Sequence, residues 1–163
     1  MVDIDHQLDE IFAARARQNM EATIEAFTEI VKENPGHARA LYELGGSYDT
    51  AGEEEQARIY YEKAREVGLD GPYLKRWYLQ YGSTLRNTGE LGKSLQIFDE
   101  AIEKYPESHA FRAFRAITLF SLERYGQAVG SLLKVIADTG EGEDIDRYRP
   151  ALHGYGDYIQ TLP

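Results

Sequence analysis

The chain has no cysteine, two methionines, one tryptophan and five prolines in 163 residues, and it is short of positive charge, with 18 Lys and Arg against 28 Asp and Glu. Without cysteine there is no disulfide staple, thiolate nucleophile, iron–sulfur cluster or cysteine zinc site. The net charge of −10 repels phosphate backbones and anionic lipid, so neither nucleic acid nor membrane is expected as a partner. No apolar run approaches the ~18 residues of a membrane span, and the opening MVDIDHQLDEIF carries acids where a secretory leader carries Lys or Arg. A soluble, cytoplasmic protein is the expectation.

What is present suffices for a core. Hydrophobic residues make up 42% of the chain and 12 residues are tyrosine, so the reading is one folded domain over 1–163.

Three stretches align on one another. The first, 38–69, carries Leu41, Leu44, Gly45, Tyr48, Ala57, Tyr61 and Ala64. The second, 75–106, carries Tyr78, Tyr81, Gly82, Leu85, Ser94, Phe98, Ala101 and Pro106. The third starts at His109 and carries Ala116, Leu119, Ala128, Leu132 and Val135. The small markers Gly45, Gly82 and Ala116 are 37 and 34 residues apart, and the extra three fall in the turn-rich segment 68–72. Extending the register backwards lands on Ile11, with Thr23, Phe27, Ile30 and Pro35 following in step.

These residues resemble the tetratricopeptide repeat, whose pattern is a large apolar residue, Leu-Gly, Tyr, then Ala, Phe or Tyr, Ala and a closing Pro. The resemblance, which looks like that of short stand-alone bacterial members, implies an all-α superhelix of antiparallel helix pairs. A degenerate unit spans 4–37, repeats span 38–71, 75–108 and 109–140, and a capping helix lies at 145–160. Helices are predicted near 4–16, 19–33, 38–51, 54–67, 73–88, 91–104, 108–121, 125–138 and 145–159. Gly45, Gly82 and Ala116 let paired backbones approach, while Tyr61, Phe98 and Leu132 fill the space toward the next unit. In the last helix Ile145, Tyr148, Leu152, Tyr155 and Ile159 recur at helical spacing and would cover the end of the stack, although Pro150, Gly154 and Gly156 oppose a helix there.

No chemistry is apparent. His6, His37, His109 and His153 are scattered without a zinc pattern, and His37 and His109 are expected in solvent at turns. There is no phosphate loop and no nucleophile elbow, and Glu53, Glu54 and Glu55 open a helix where acids favour its dipole. The expectation is a non-catalytic protein without metal or cofactor.

The resemblance implies a concave face lined by the first helix of each pair. Carried over, its positions are Asp5, Leu8, Phe12, Arg15 and Ala16 in the degenerate unit, and Arg39, Tyr42, Gly46, Asp49 and Thr50 in the first full repeat. The second offers Arg76, Leu79, Ser83, Arg86 and Asn87, and the third offers Ala110, Ala113, Ile117, Phe120 and Ser121. Arg15, Arg39, Arg76 and Arg86 thus gather on an otherwise acidic chain, beside an apolar patch of Ile117 and Phe120. A protein or peptide segment pairing a carboxylate with an apolar residue is the expected ligand. Alternatively, the arginines pair with Glu43, Asp49 or Glu90 on the surface. The family's two-carboxylate clamp for chaperone tails is not matched, since its positions hold Tyr42, Gly46, Gln80, Ala110 and Phe114. A reading of another class is a homodimer joined through the C-terminal helix, using Tyr148, Leu152, Tyr155, Tyr158 and Ile159.

Overall fold

Turn signals every dozen residues or so cut the chain into helices. The computed structural model describes residues 3–162 and has, among them, nine α-helices and no strand. They are α1 (Ile4–Ala14), α2 (Glu21–Glu33), α3 (Ala38–Thr50), α4 (Glu54–Glu66), α5 (Gly71–Asn87), α6 (Leu91–Lys104), α7 (His109–Ser121), α8 (Tyr125–Thr139) and α9 (Glu143–Ile159). The all-α architecture expected from the repeat is therefore present. The chain divides into two compact units, Met1–Thr88 and Gly89–Pro163, so the helices of repeat 75–108 are split between them.

In the first unit, Leu8, Phe27, Ala40 and Leu44 form a buried cluster against which Ile4, Ile11 and Ile24 pack. Each such large side chain contributes about 1.5–3 kcal/mol by leaving water. Leu8 therefore belongs to the core and not to a ligand face, because its position on α1 turns toward α2 and α3. A second aromatic cluster joins α4 to α5: Trp77 stacks on Tyr81 at 4.7 Å, and its indole N–H donates to the Tyr61 carbonyl at 2.9 Å. Gly45 is small for a reason. A Cβ there would stand 2.8 Å from the Tyr61 ring and 3.3 Å from the Ala57 carbonyl oxygen, so any side chain would push α3 off α4.

In the second unit, Ala116, Leu119 and Ala128 pack α7 on α8, with Leu95 against them. The buried hydroxyls of Ser94 and Thr118 meet at 2.9 Å. Helices α8 and α9 run antiparallel at very close range. A Cβ on Gly126 would lie 2.6 Å from the Ile159 carbonyl oxygen, and one on Gly156 would lie 3.0 Å from that of Gly130.

Several local expectations change. The gap between α1 and α2 is wider than predicted because Arg15 is extended, with ψ of 137°. Helix α5 starts earlier because Pro72 suits a first turn, where no N–H is needed. Helix α9 starts at Glu143, with Glu143, Asp144 and Asp146 on its positive end, and carries Pro150 inside. Its contact with α8 is made by Gly156, Arg149 and the half-buried Ile145, Leu152 and Ile159, while Tyr148 and Tyr155 point to solvent. Leu132 does not fill the space before α9, because α9 sits over the glycine side of α8 instead. His37 is not a bare surface residue: its Nδ1 accepts the Ala40 N–H at 3.2 Å and caps α3.

Candidate functional site

The first helices of successive pairs, α1, α3 and α5, together with the segment after α1, border a cleft of about 180 Å³ in the first unit. Phe12, Arg15, Arg17 and Met20 come from the end of α1 and the turn between α1 and α2, Tyr42, Glu43, Gly46, Ser47 and Thr50 from α3, and Arg76 and Gln80 from α5. Because Arg15 has left the helix, it folds back over its last turn. Its guanidinium stacks 3.5 Å above the Phe12 ring, and Nη1 donates to the Phe12 carbonyl at 2.6 Å. Neither Arg15 nor Arg76 forms an ion pair with a carboxylate among the described residues.

Arg39 is different. Its side chain is only 11% exposed, and it pairs with Asp5 at 3.1 Å, with Asp9 at short range, and with Glu43 at 3.6 Å. It also lies 4.7 Å from the Tyr73 ring centre. The pairing with Glu43 is the one foreseen as an alternative to ligand binding. Burial pushes the Glu43 carboxyl above its ordinary range, against the pull of Arg39 first and then of Arg76 and Arg15. The Tyr42 hydroxyl is likewise pushed up by burial, so it stays a neutral donor in the cleft wall.

The other sequence-predicted residues of α5 lie outside this cleft. Arg86 donates to the Asn87 side chain at 3.2 Å, and Asn87 in turn donates to Glu54 of α4 at 2.7 Å. Burial lowers the Arg86 pKa, opposed by Glu54. Leu79 and Ser83 are half-buried, and the Ser83 hydroxyl has no partner. In the second unit Ile117 and Phe120 are exposed, with the Phe120 ring edge-on to Tyr125 at 5.2 Å. On α9, Tyr148, Tyr155 and Tyr158 are exposed, whereas Leu152 and Ile159 are half-buried.

The cleft thus brings Arg15, Tyr42 and Arg76 together and leaves Arg39 and Arg86 engaged elsewhere. Sequence reasoning did not place Arg17, Met20, Glu43, Ser47 or Gln80 on the groove. Only the break of α1 before Arg15 brings the first two in, and Gln80 follows from Arg76 one helical turn on. Chemically the cleft offers guanidinium donors beside aromatic surface, which suits a carboxylate. Among the described residues no group of three or more His, Asp or Glu could hold a metal ion. None of the helices there is long and apolar enough to cross a membrane.

Comparison with known proteins places these features. No curated protein matches the chain. Among solved structures it resembles the crystal structure of YrrB, described as a TPR protein with an unusual peptide-binding site. That likeness has 14% identity and a TM-score of 0.57, and it covers 88% of this chain and 84% of the other, so it speaks for the fold. The family model described as "Tetratrico peptide repeat" matches residues 38–159, and the chain accordingly belongs to the tetratricopeptide repeat family.

Proposed function

We propose that the protein is a non-catalytic interaction module whose first unit binds a peptide or protein segment carrying a carboxylate next to an apolar side chain. The observation that carries this reading is the contrast between the arginines: Arg39 is occupied by three acids, while Arg15 and Arg76 border the cleft without an ion pair and act on the buried Glu43 only at longer range. A ligand carboxylate would take their free donors, and an adjacent apolar residue would lie on Phe12. The peptide-binding description of YrrB is consistent with this use of the fold.

Fluorescence anisotropy with a labelled octapeptide alternating leucine and glutamate tests it, against the same peptide with glutamine. The acidic peptide should bind at least about tenfold more tightly, and Arg15→Glu and Arg76→Glu should each remove that preference. Equal binding of both peptides, or no binding of either, would overturn the reading.

A second reading concerns copies of the chain itself. Self-association through the C-terminal helix is favoured by the exposure of Tyr148, Tyr155 and Tyr158, since tyrosine is enriched at protein interfaces.

A further inference from the structure

The polar and apolar sides of the α8–α9 pair are sharply divided. Along one side the helices are laced together by Lys134 with Asp157 at 2.8 Å, His153 with Asp138 at 3.0 Å, and Gln160 with Ser131 at 3.2 Å. At about 100° per residue, Tyr125, Val129, Leu132 and Ile136 share one stripe of α8. That stripe lies away from these links and next to the glycine side that faces α9. Helical phase brings Tyr148 and Tyr155 of α9 to the same side of the pair. These six residues are each between 39% and 64% exposed.

With large side chains spanning about 200 Å² each, they leave roughly 600 Å² of contiguous apolar surface, the upper end for a monomer. We propose that this face, and not α9 alone, is where a second copy of the chain docks. The proposal rests on the self-association reading and specifies its surface.

Three features favour a second copy as the occupant. Two such faces bury about 1,200 Å², the lower limit of a specific interface. The α8 stripe has spacings of four, three and four residues, which read the same in both directions. A twofold axis crossing between Val129 and Leu132 therefore sets Tyr125 against Ile136 of the other copy and Val129 against Leu132, with antiparallel helix dipoles. The close approach of Gly130 and Gly156 puts Tyr155 at the level of that axis, so it faces its own symmetry mate. Finally, two chains of charge −10 repel each other, and the six side chains of this face include no carboxylate.

Sedimentation equilibrium of the full chain from about 10 µM to 1 mM should show the mass rising toward twice the monomer, as a small interface requires. Val129→Glu and Ile136→Glu replace exposed residues, so helical content should be kept while dimer affinity falls at least about tenfold. Gln96→Glu, exposed on α6 and outside the face, should dimerise like the parent. Because the chain has no cysteine, Tyr155→Cys gives a clean crosslink: it should oxidise to a covalent dimer much faster than Gln96→Cys on α6. A dimer unaffected by Val129→Glu and Ile136→Glu would overturn this face but leave self-association standing. A monomer throughout the concentration range would overturn both.

Discussion

Gly130 of α8 and Gly156 of α9 pack backbone to backbone: a Cβ on Gly130 would stand 2.6 Å from the Gly156 carbonyl oxygen. A carbonyl oxygen cannot swing aside as a flexible side-chain end can, so a methyl group must separate the helices. Gly130→Ala should destabilise the second unit by about 2–3 kcal/mol in chemical denaturation. Gly154, two residues from Gly156, has nothing within 4 Å of its Cβ position, and Gly154→Ala should instead gain about 0.5–1 kcal/mol from helix propensity. Equal effects of the two substitutions would show that α9 does not sit on α8 through its glycines.

The same logic separates the adjacent glycines of α3. A Cβ at Gly45 would be 2.8 Å from the Tyr61 ring, whereas one at Gly46 would be 3.7 Å from the Tyr61 hydroxyl, an ordinary contact. Gly45→Ala should cost about 1–3 kcal/mol by overpacking a ring that is fully buried. Gly46→Ala should be stabilising by about 0.5–1 kcal/mol. Urea midpoints of the two variants, moving in opposite directions, are the check.

These contrasts indicate what was legible in the sequence. The small residue at Gly45 and the large one at Tyr61 are sixteen residues apart within one helix pair, and the repeat register marks both, but it assigns the Tyr61 ring to the next unit and not to Gly45. The fate of Arg39 was not legible in the same way. It is decided by Asp5 and Asp9, 34 and 30 residues earlier, whose side chains reach it only once α1 lies beside α3. Helix α9 was obscured by chemistry: Gly154 and Gly156 read as helix breakers, yet Gly156 is the buried contact that makes the close approach. The apolar stripe of α8 is visible as spacing, but spacing does not say which stripe faces a neighbour and which faces water. Only the glycine side of α8 settles that.

The cap of α3 offers a prediction on a smaller scale. His37 accepts the Ala40 N–H through Nδ1, one of the donors a helix start leaves without a partner. His37→Ala should lower stability by about 1 kcal/mol, and His37→Asn, which restores a side-chain acceptor, should recover most of it. Thermal midpoints of the three proteins decide between a cap and an incidental contact, since an incidental contact would leave all three alike.

Glu43 connects the cleft to pH. Its carboxyl is held above the ordinary range chiefly by burial, with the nearby arginines compensating only in part. A group whose folded pKa is raised adds stability when protonated, and that contribution is lost as pH rises through the folded value. At neutral pH the ionised Glu43 therefore works against the fold, and Glu43→Gln, which keeps the shape without the charge, should be more stable than the parent. The difference should shrink as the pH falls into and below the carboxylate range, where the parent side chain is itself neutral. Guanidinium titrations of both proteins across that range measure it, and a difference that grows toward acid would mean that Arg39, Arg76 and Arg15 outweigh the burial.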